Sequence, residues 1–125
     1  MISSPQPHNA TIRRGELYWL DWSPGRGSEQ TGLRPALVVS TNAANTNPRY
    51  GLVIVVTVST KGKSLIPTHV EIRPTTANGL AEISFAKTEQ IMTTDKDRLK
   101  TRMGQLTEDE MKMVDAALKR AMSIK

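Results

Sequence analysis

Residues 51–59 (GLVIVVTVS) constrain this chain more than any other segment. The run is rich in β-branched side chains and shows no alternation of apolar and polar positions. Such a run reads as a strand buried on both faces. The flanking sequence supports more strands of ordinary length. Residues 16–22 (ELYWLDW) mix aromatic and aliphatic side chains with charges, and residues 34–41 (RPALVVST) form a strand whose proline is tolerated only near its start. Residues 67–73 (PTHVEIR) alternate His69, Glu71 and Arg73 with Thr68, Val70 and Ile72, which predicts one wet face. Residues 82–92 (EISFAKTEQIM) read as one bent strand or two short ones. The connections carry turn chemistry: three glycines and a proline in residues 23–33, a polar stretch at 42–50, and Gly62 between two lysines in 60–66.

A single helix closes the chain. Thr107 and Glu110 have capping-box spacing, and Leu106 with Met111 has the spacing of a hydrophobic staple. Met111, Val114, Leu118 and Met122, with Ala117 and Ala121 beside them, form an apolar stripe that reads as the helix's core face. Acids crowd its first turn, with Lys119 and Arg120 in its last, as the helix dipole favours. Several short strands followed by one late helix predict a mainly β fold, a small β-barrel or a strongly bent sheet.

Composition then removes whole classes of function. The chain has 125 residues and no cysteine, which excludes a disulfide-framed module, a thiol nucleophile and a cysteine-ligated zinc site. Its two histidines, His8 and His69, are too few for an all-histidine metal centre. No run of about 18 apolar residues spans a membrane and no signal pattern opens the chain, so a cytoplasmic location is expected. Residues 1–12 read as a loose tail that holds His8, and residues 13–125 as a single domain. The net charge of +5 favours an acidic partner.

Most hydrolytic templates are absent: there is no G-x-S-x-G, no G-x-x-x-x-G-K and no H-E-x-x-H. The acids at Asp95 and Asp97 alternate with bases, and Glu108, Asp109 and Glu110 begin the helix, so no metal-binding cluster stands out and no cofactor is expected. Two features remain. Ser28, Glu29 and Gln30 sit in a glycine-bounded loop directly ahead of Arg34, and such donors and acceptors suit unpaired bases as well as a plain hairpin loop. Thr57 interrupts the aliphatic run, either as a good strand former or as a placed hydroxyl.

Five segments, in order, resemble the MazF/PemK-type toxins. They are RRGELY at 13–18, GSEQTGLRPALVV at 27–39, VIVVT at 53–57, PTHVEI at 67–72 and EQIMTTDKDRL at 89–99. The resemblance implies a CcdB/PemK-like fold, a compact bent antiparallel sheet of SH3-like barrel type with a terminal helix. It also implies a homodimer that cuts single-stranded RNA at short sequences without a metal. A MazE-like antitoxin with an acidic C-terminal segment would silence it. By the same resemblance Arg34 and Thr57 match the catalytic arginine and hydroxyl residue, and Ser28, Glu29 and Gln30 match the loop lining the site. Asn45, Lys61, Glu89 and Gln90 match positions at or near RNA. Some members use an aspartate with an arginine two residues earlier; residues 84–87 offer neither, so the arginine/threonine scheme is followed, with Glu29 the alternative general base. His69 is given a structural or rim role. Two other readings compete: a gyrase-inhibiting toxin of the same fold, and a non-catalytic nucleic-acid-binding barrel.

Overall fold

The computed structural model describes residues 9–22 and 32–125. Within them six strands form one sheet: β1 (Glu16–Asp21), β2 (Leu33–Val38), β3 (Leu52–Ser59), β4 (His69–Ile72), β5 (Ser84–Asp95) and β6 (Leu99–Gln105). A short helix, α1 (Asn42–Asn45), lies between β2 and β3, and α2 (Glu108–Ala121) follows β6. The spatial order is β4-β5-β3-β2-β1-β6, antiparallel at every junction. Because β4 and β6 remain edges, the sheet is open, which corrects the expectation of a barrel. Neither described helix is long and apolar enough to cross a membrane.

The aliphatic run is β3, the strand between β2 and β5. From Val55 to Val58 it is buried on both faces, but Leu52 and Ile54 are 37% and 36% exposed. The double burial expected for the whole run therefore holds only for its second half, where α2 covers one face. Val56, Val58, Leu37 and Leu17 pack there against Met111, Val114, Ala117 and Leu118. On the other face Val53, Val55, Ala36, Val38, Tyr18 and Leu20 form a second cluster, closed by Ile12 and Leu99. Ile12 is fully buried, so the packed domain already includes the last residue of the expected tail. Residues 1–8 of that tail lie outside the described residues.

Local chemistry explains several element ends. Thr107 accepts from the Glu110 backbone while Glu110 accepts from the Thr107 backbone, so the capping box forms as expected. Met122, expected on the buried stripe, instead caps the helix end and is 48% exposed. Pro35 lies in the half of β2 that pairs only with β1, so its missing N–H removes no bond to β3. Two elements were not legible in the sequence. α1 is a single turn whose end is held by Lys96, a buried ammonium donating to the carbonyls of Ala44 (2.9 Å) and Asn47 (3.0 Å). β6 is an edge strand of mainly exposed polar residues, so it shows no apolar period.

Candidate RNA-cleaving site

The expected bent strand is β5, and its bend is a bulge with a clear cause. The β3–β5 ladder steps from Val56 opposite Ile91 directly to Thr57 opposite Lys87. Thr88, Glu89 and Gln90 are left outside the pairing with β3. Both the backbone N–H and the hydroxyl of Thr88 donate instead to the Thr68 carbonyl, at 3.0 and 2.7 Å, which pins the bulge to the start of β4.

Register then builds a row across three strands. Thr57 on β3 faces Lys87 on β5, and Lys87 faces His69 on β4. Directly paired side chains stand on one face with their Cβ atoms about 5 Å apart. Ala36 is also opposite Thr57, and Arg34 lies two residues beyond it on that same face of β2. The row therefore carries a hydroxyl, an ammonium and an imidazole, with a guanidinium diagonally placed. Thr57 is buried as a residue, yet among the described residues no hydrogen bond engages its hydroxyl. No buried side-chain polar atom lacks a partner there either, so the hydroxyl opens to solvent.

Glu89 projects from the bulge and is held at both oxygens. Thr68 Oγ1 donates to Oε1 at 2.9 Å, and His69 Nε2 lies 2.9 Å from Oε2. Burial alone would raise the Glu89 carboxyl, but the bonds from His69, its own backbone N–H and Thr68 outweigh it and hold the group below the ordinary carboxylate range. Glu89 is thus an ionised acceptor with 40% of its side chain exposed. Gln90 is exposed beside it.

The loop between β3 and β4 is fastened over this end of the sheet. Lys61 N donates to Ser59 Oγ (3.0 Å), Lys63 N to His69 Nδ1 (3.3 Å), and Ser64 Oγ to Glu71 Oε1 (2.8 Å). Gly62 lies so close to Phe85 that an added Cβ would fall 2.3 Å from its Cβ and Cγ. Lys61 stays exposed.

The expected residues therefore divide into three groups. Arg34, Thr57, Glu89, Gln90 and Lys61 gather at one end of β2, β3 and β5. Ser28, Glu29 and Gln30 lie outside the described residues. Asn45 is placed otherwise: it is fully buried in α1, its Nδ2 donates to the Ser40 carbonyl at 2.8 Å and its Oδ1 accepts from Ser40 Oγ at 2.5 Å. Its amide is thus engaged inside the turn, apart from the residues gathered above. The sequence did not single out Lys87. It and Glu89 lie two residues apart, and register sets Lys87 opposite His69 while Glu89 bonds to that ring. A cleft of about 400 Å³ lined by Trp19, Pro35, Val58, Leu80, Ser84 and Met103 also touches Arg34 and Lys61. Pro35 and Val58 face away from Thr57, so this cleft adjoins the row without containing it. Among the described residues no three His, Cys, Asp or Glu side chains gather as a metal site.

Comparison with known proteins shows what the chain as a whole is similar to. The family model for the PemK-like, MazF-like toxin of type II toxin–antitoxin systems matches residues 13–122. The endoribonuclease MazF of Staphylococcus epidermidis is 42% identical over 109 residues, covering 86% of this chain and 88% of that protein. Among solved structures, a mycobacterial endoribonuclease in complex with its cognate antitoxin superposes with a TM-score of 0.75 at 27% identity, over 92% of this chain and 98% of that one. MazF from Deinococcus radiodurans gives 0.72 at 26% identity, over 90% and 96%.

Proposed function

The chain belongs to the PemK-like, MazF-like toxin family, and we propose from that premise that it is an endoribonuclease cutting single-stranded RNA at short sequences through attack of the RNA's own 2′-hydroxyl. The observation that carries this reading is the solvent-open Thr57 hydroxyl directly beside Lys87, with Arg34 on the same face.

The chemistry needs an in-line attack of the 2′-oxygen on the adjacent phosphorus. The bond to the 5′-oxygen breaks, leaving a 2′,3′-cyclic phosphate and a 5′-hydroxyl end. The protein must take one proton, give another, and balance charge on the phosphorane. Arg34 forks two hydrogen bonds onto phosphate oxygens. A guanidinium holds its proton firmly, which makes it a stabiliser of charge and a poor base near neutrality. Thr57 donates to the same phosphate, and Lys87, beside Thr57 in the row, adds a second positive charge. Glu29 is the alternative general base, and the family resemblance gives Ser28 and Gln30 roles in binding the RNA. Lys61, Glu89 and Gln90 contact the RNA around the scissile bond. General acid–base help is worth about 10²–10⁴-fold and charge stabilisation a similar or larger share.

The working unit is a homodimer in the cytoplasm, and no metal or cofactor enters the reaction. A MazE-like antitoxin with an acidic C-terminal segment covers the surface that binds the RNA, which suits a chain of net charge +5. The test is a substrate whose scissile nucleotide has hydrogen in place of the 2′-hydroxyl. It should bind and stay intact, while EDTA leaves cutting of ordinary RNA unchanged. Cleavage of the deoxy substrate, or activity lost in EDTA and restored by magnesium, refutes the mechanism. An RNA that is shifted but never cut would make the protein a binding module.

A further inference from the structure

His69 is 8% exposed at its side chain, and its ring joins two parts of the site that the backbone does not connect directly. Nδ1 faces the backbone N–H of Lys63, and Nε2 faces Glu89 Oε2. A backbone N–H can only donate, so Nδ1 is the bare nitrogen and Nε2 carries the proton. The neutral ring therefore accepts from the β3–β4 loop and donates to the β5 bulge. Thr68 holds the other oxygen of the same carboxylate, which fixes Glu89 in one orientation.

An ionised carboxylate in an RNA site repels phosphate. What it accepts is a hydrogen bond from a base, such as an exocyclic amine on a Watson–Crick edge. We propose that His69 is a positioning residue that determines which base the site accepts, by locking Glu89 and the Lys61-bearing loop to one another. The proposal rests on the RNA-cleaving reading above. It separates two tasks on one surface: Arg34, Thr57 and Lys87 act on the phosphate that every nucleotide has, and the His69–Glu89 bridge acts on the base that differs.

Two amide variants divide the ring's functions. His69→Gln places an N–H donor near the position of Nε2 and keeps the Glu89 contact. His69→Asn places an acceptor near the position of Nδ1 and keeps the Lys63 contact, but does not reach Glu89. The experiment digests a long single-stranded RNA with full-length protein and sequences the fragment 5′ ends. In His69→Asn, discrimination at one base position should fall about tenfold, within the range that one base-edge contact supports. Its rate on saturating preferred RNA should change by less than about threefold, because the interactions made with the phosphate are untouched. His69→Gln should keep the parental pattern. Nitrogen-15 NMR of the ring in the intact protein should show bare Nδ1 and protonated Nε2, a signature that a residue merely filling space does not require. Wild-type protein that cuts no RNA overturns the functional reading, and this proposal with it. An unchanged site pattern in His69→Asn, or a ring protonated at Nδ1, overturns the proposal alone.

Discussion

Replacing Thr57 with valine separates folding from chemistry at a single atom. The substitution keeps the β-branched shape and exchanges a hydroxyl for a methyl group in the middle of β3. Thr57 sits between Val56 and Val58 with 3% of its surface exposed, and its hydroxyl makes no hydrogen bond among the described residues. No internal bond is lost, and the added methyl contributes up to about 1 kcal/mol of apolar burial. In a domain this size that is a rise in Tm of roughly 3–5 °C at most. The effect on cleavage runs the other way. Removing one donor aimed at developing charge costs about 10²–10³-fold, or about 3–4 kcal/mol of barrier. Single-turnover cleavage of a short fluorogenic RNA measures the loss of rate, and thermal unfolding of the same preparation the change in Tm. Parental cleavage with unchanged Tm would make Thr57 a strand residue only. A marked fall in Tm would mean that the hydroxyl holds the fold and that the row was misread.

Two further perturbations test the surroundings. Gly62→Ala should lift the β3–β4 loop off buried Phe85, costing about 1–3 kcal/mol of stability and raising KM for RNA as Lys61 moves; unchanged values of both would show that the loop is not held there. Tyr18, whose hydroxyl donates to Glu16 at 3.1 Å, is pushed up to about 12 by burial and then by the nearby Glu16 charge. The folded state keeps that proton where the unfolded chain loses it, so about 2–3 kcal/mol of stability present below pH 10 should drain away between about pH 10 and 12. Tyr18→Phe should flatten that alkaline decline in urea titrations, and an equally steep decline in the variant would assign it to other groups.

The sequence made the strands with apolar character legible because burial leaves a period or a run. β3, the alternation in β4 and the capped α2 all carry such a mark. β6 carries none, since an edge strand with mainly exposed residues needs no apolar face, and α1 depends on a lysine about fifty positions downstream in the chain. The site was legible in part for the same reason. Arg34 and Thr57 lie in recognisable segments, whereas Lys87 looks like an ordinary strand lysine until register sets it between Thr57 and His69. Asn45 shows the opposite case: a polar residue in a polar loop reads as available, but the turn engages its amide. That the sheet stays open was likewise invisible, because edges are defined by which strands do not pair.

The bulge in β5 also bears on how such a surface diversifies. On either side of Thr88, Glu89 and Gln90 the strand is held in its own register, by Lys87 opposite Thr57 and by Ile91 opposite Val56. In an uninterrupted ladder a gain or loss of one residue would turn core side chains outward along the rest of the strand. Here the unpaired segment can absorb such a change locally, leaving both flanking ladders in place. The same few positions carry the exposed Glu89 and Gln90. Length and chemistry can therefore drift together over the proposed reading surface while Arg34, Thr57 and Lys87, proposed to act on the phosphate, stay fixed, so descendants of one scaffold can acquire different target sequences without rebuilding their core.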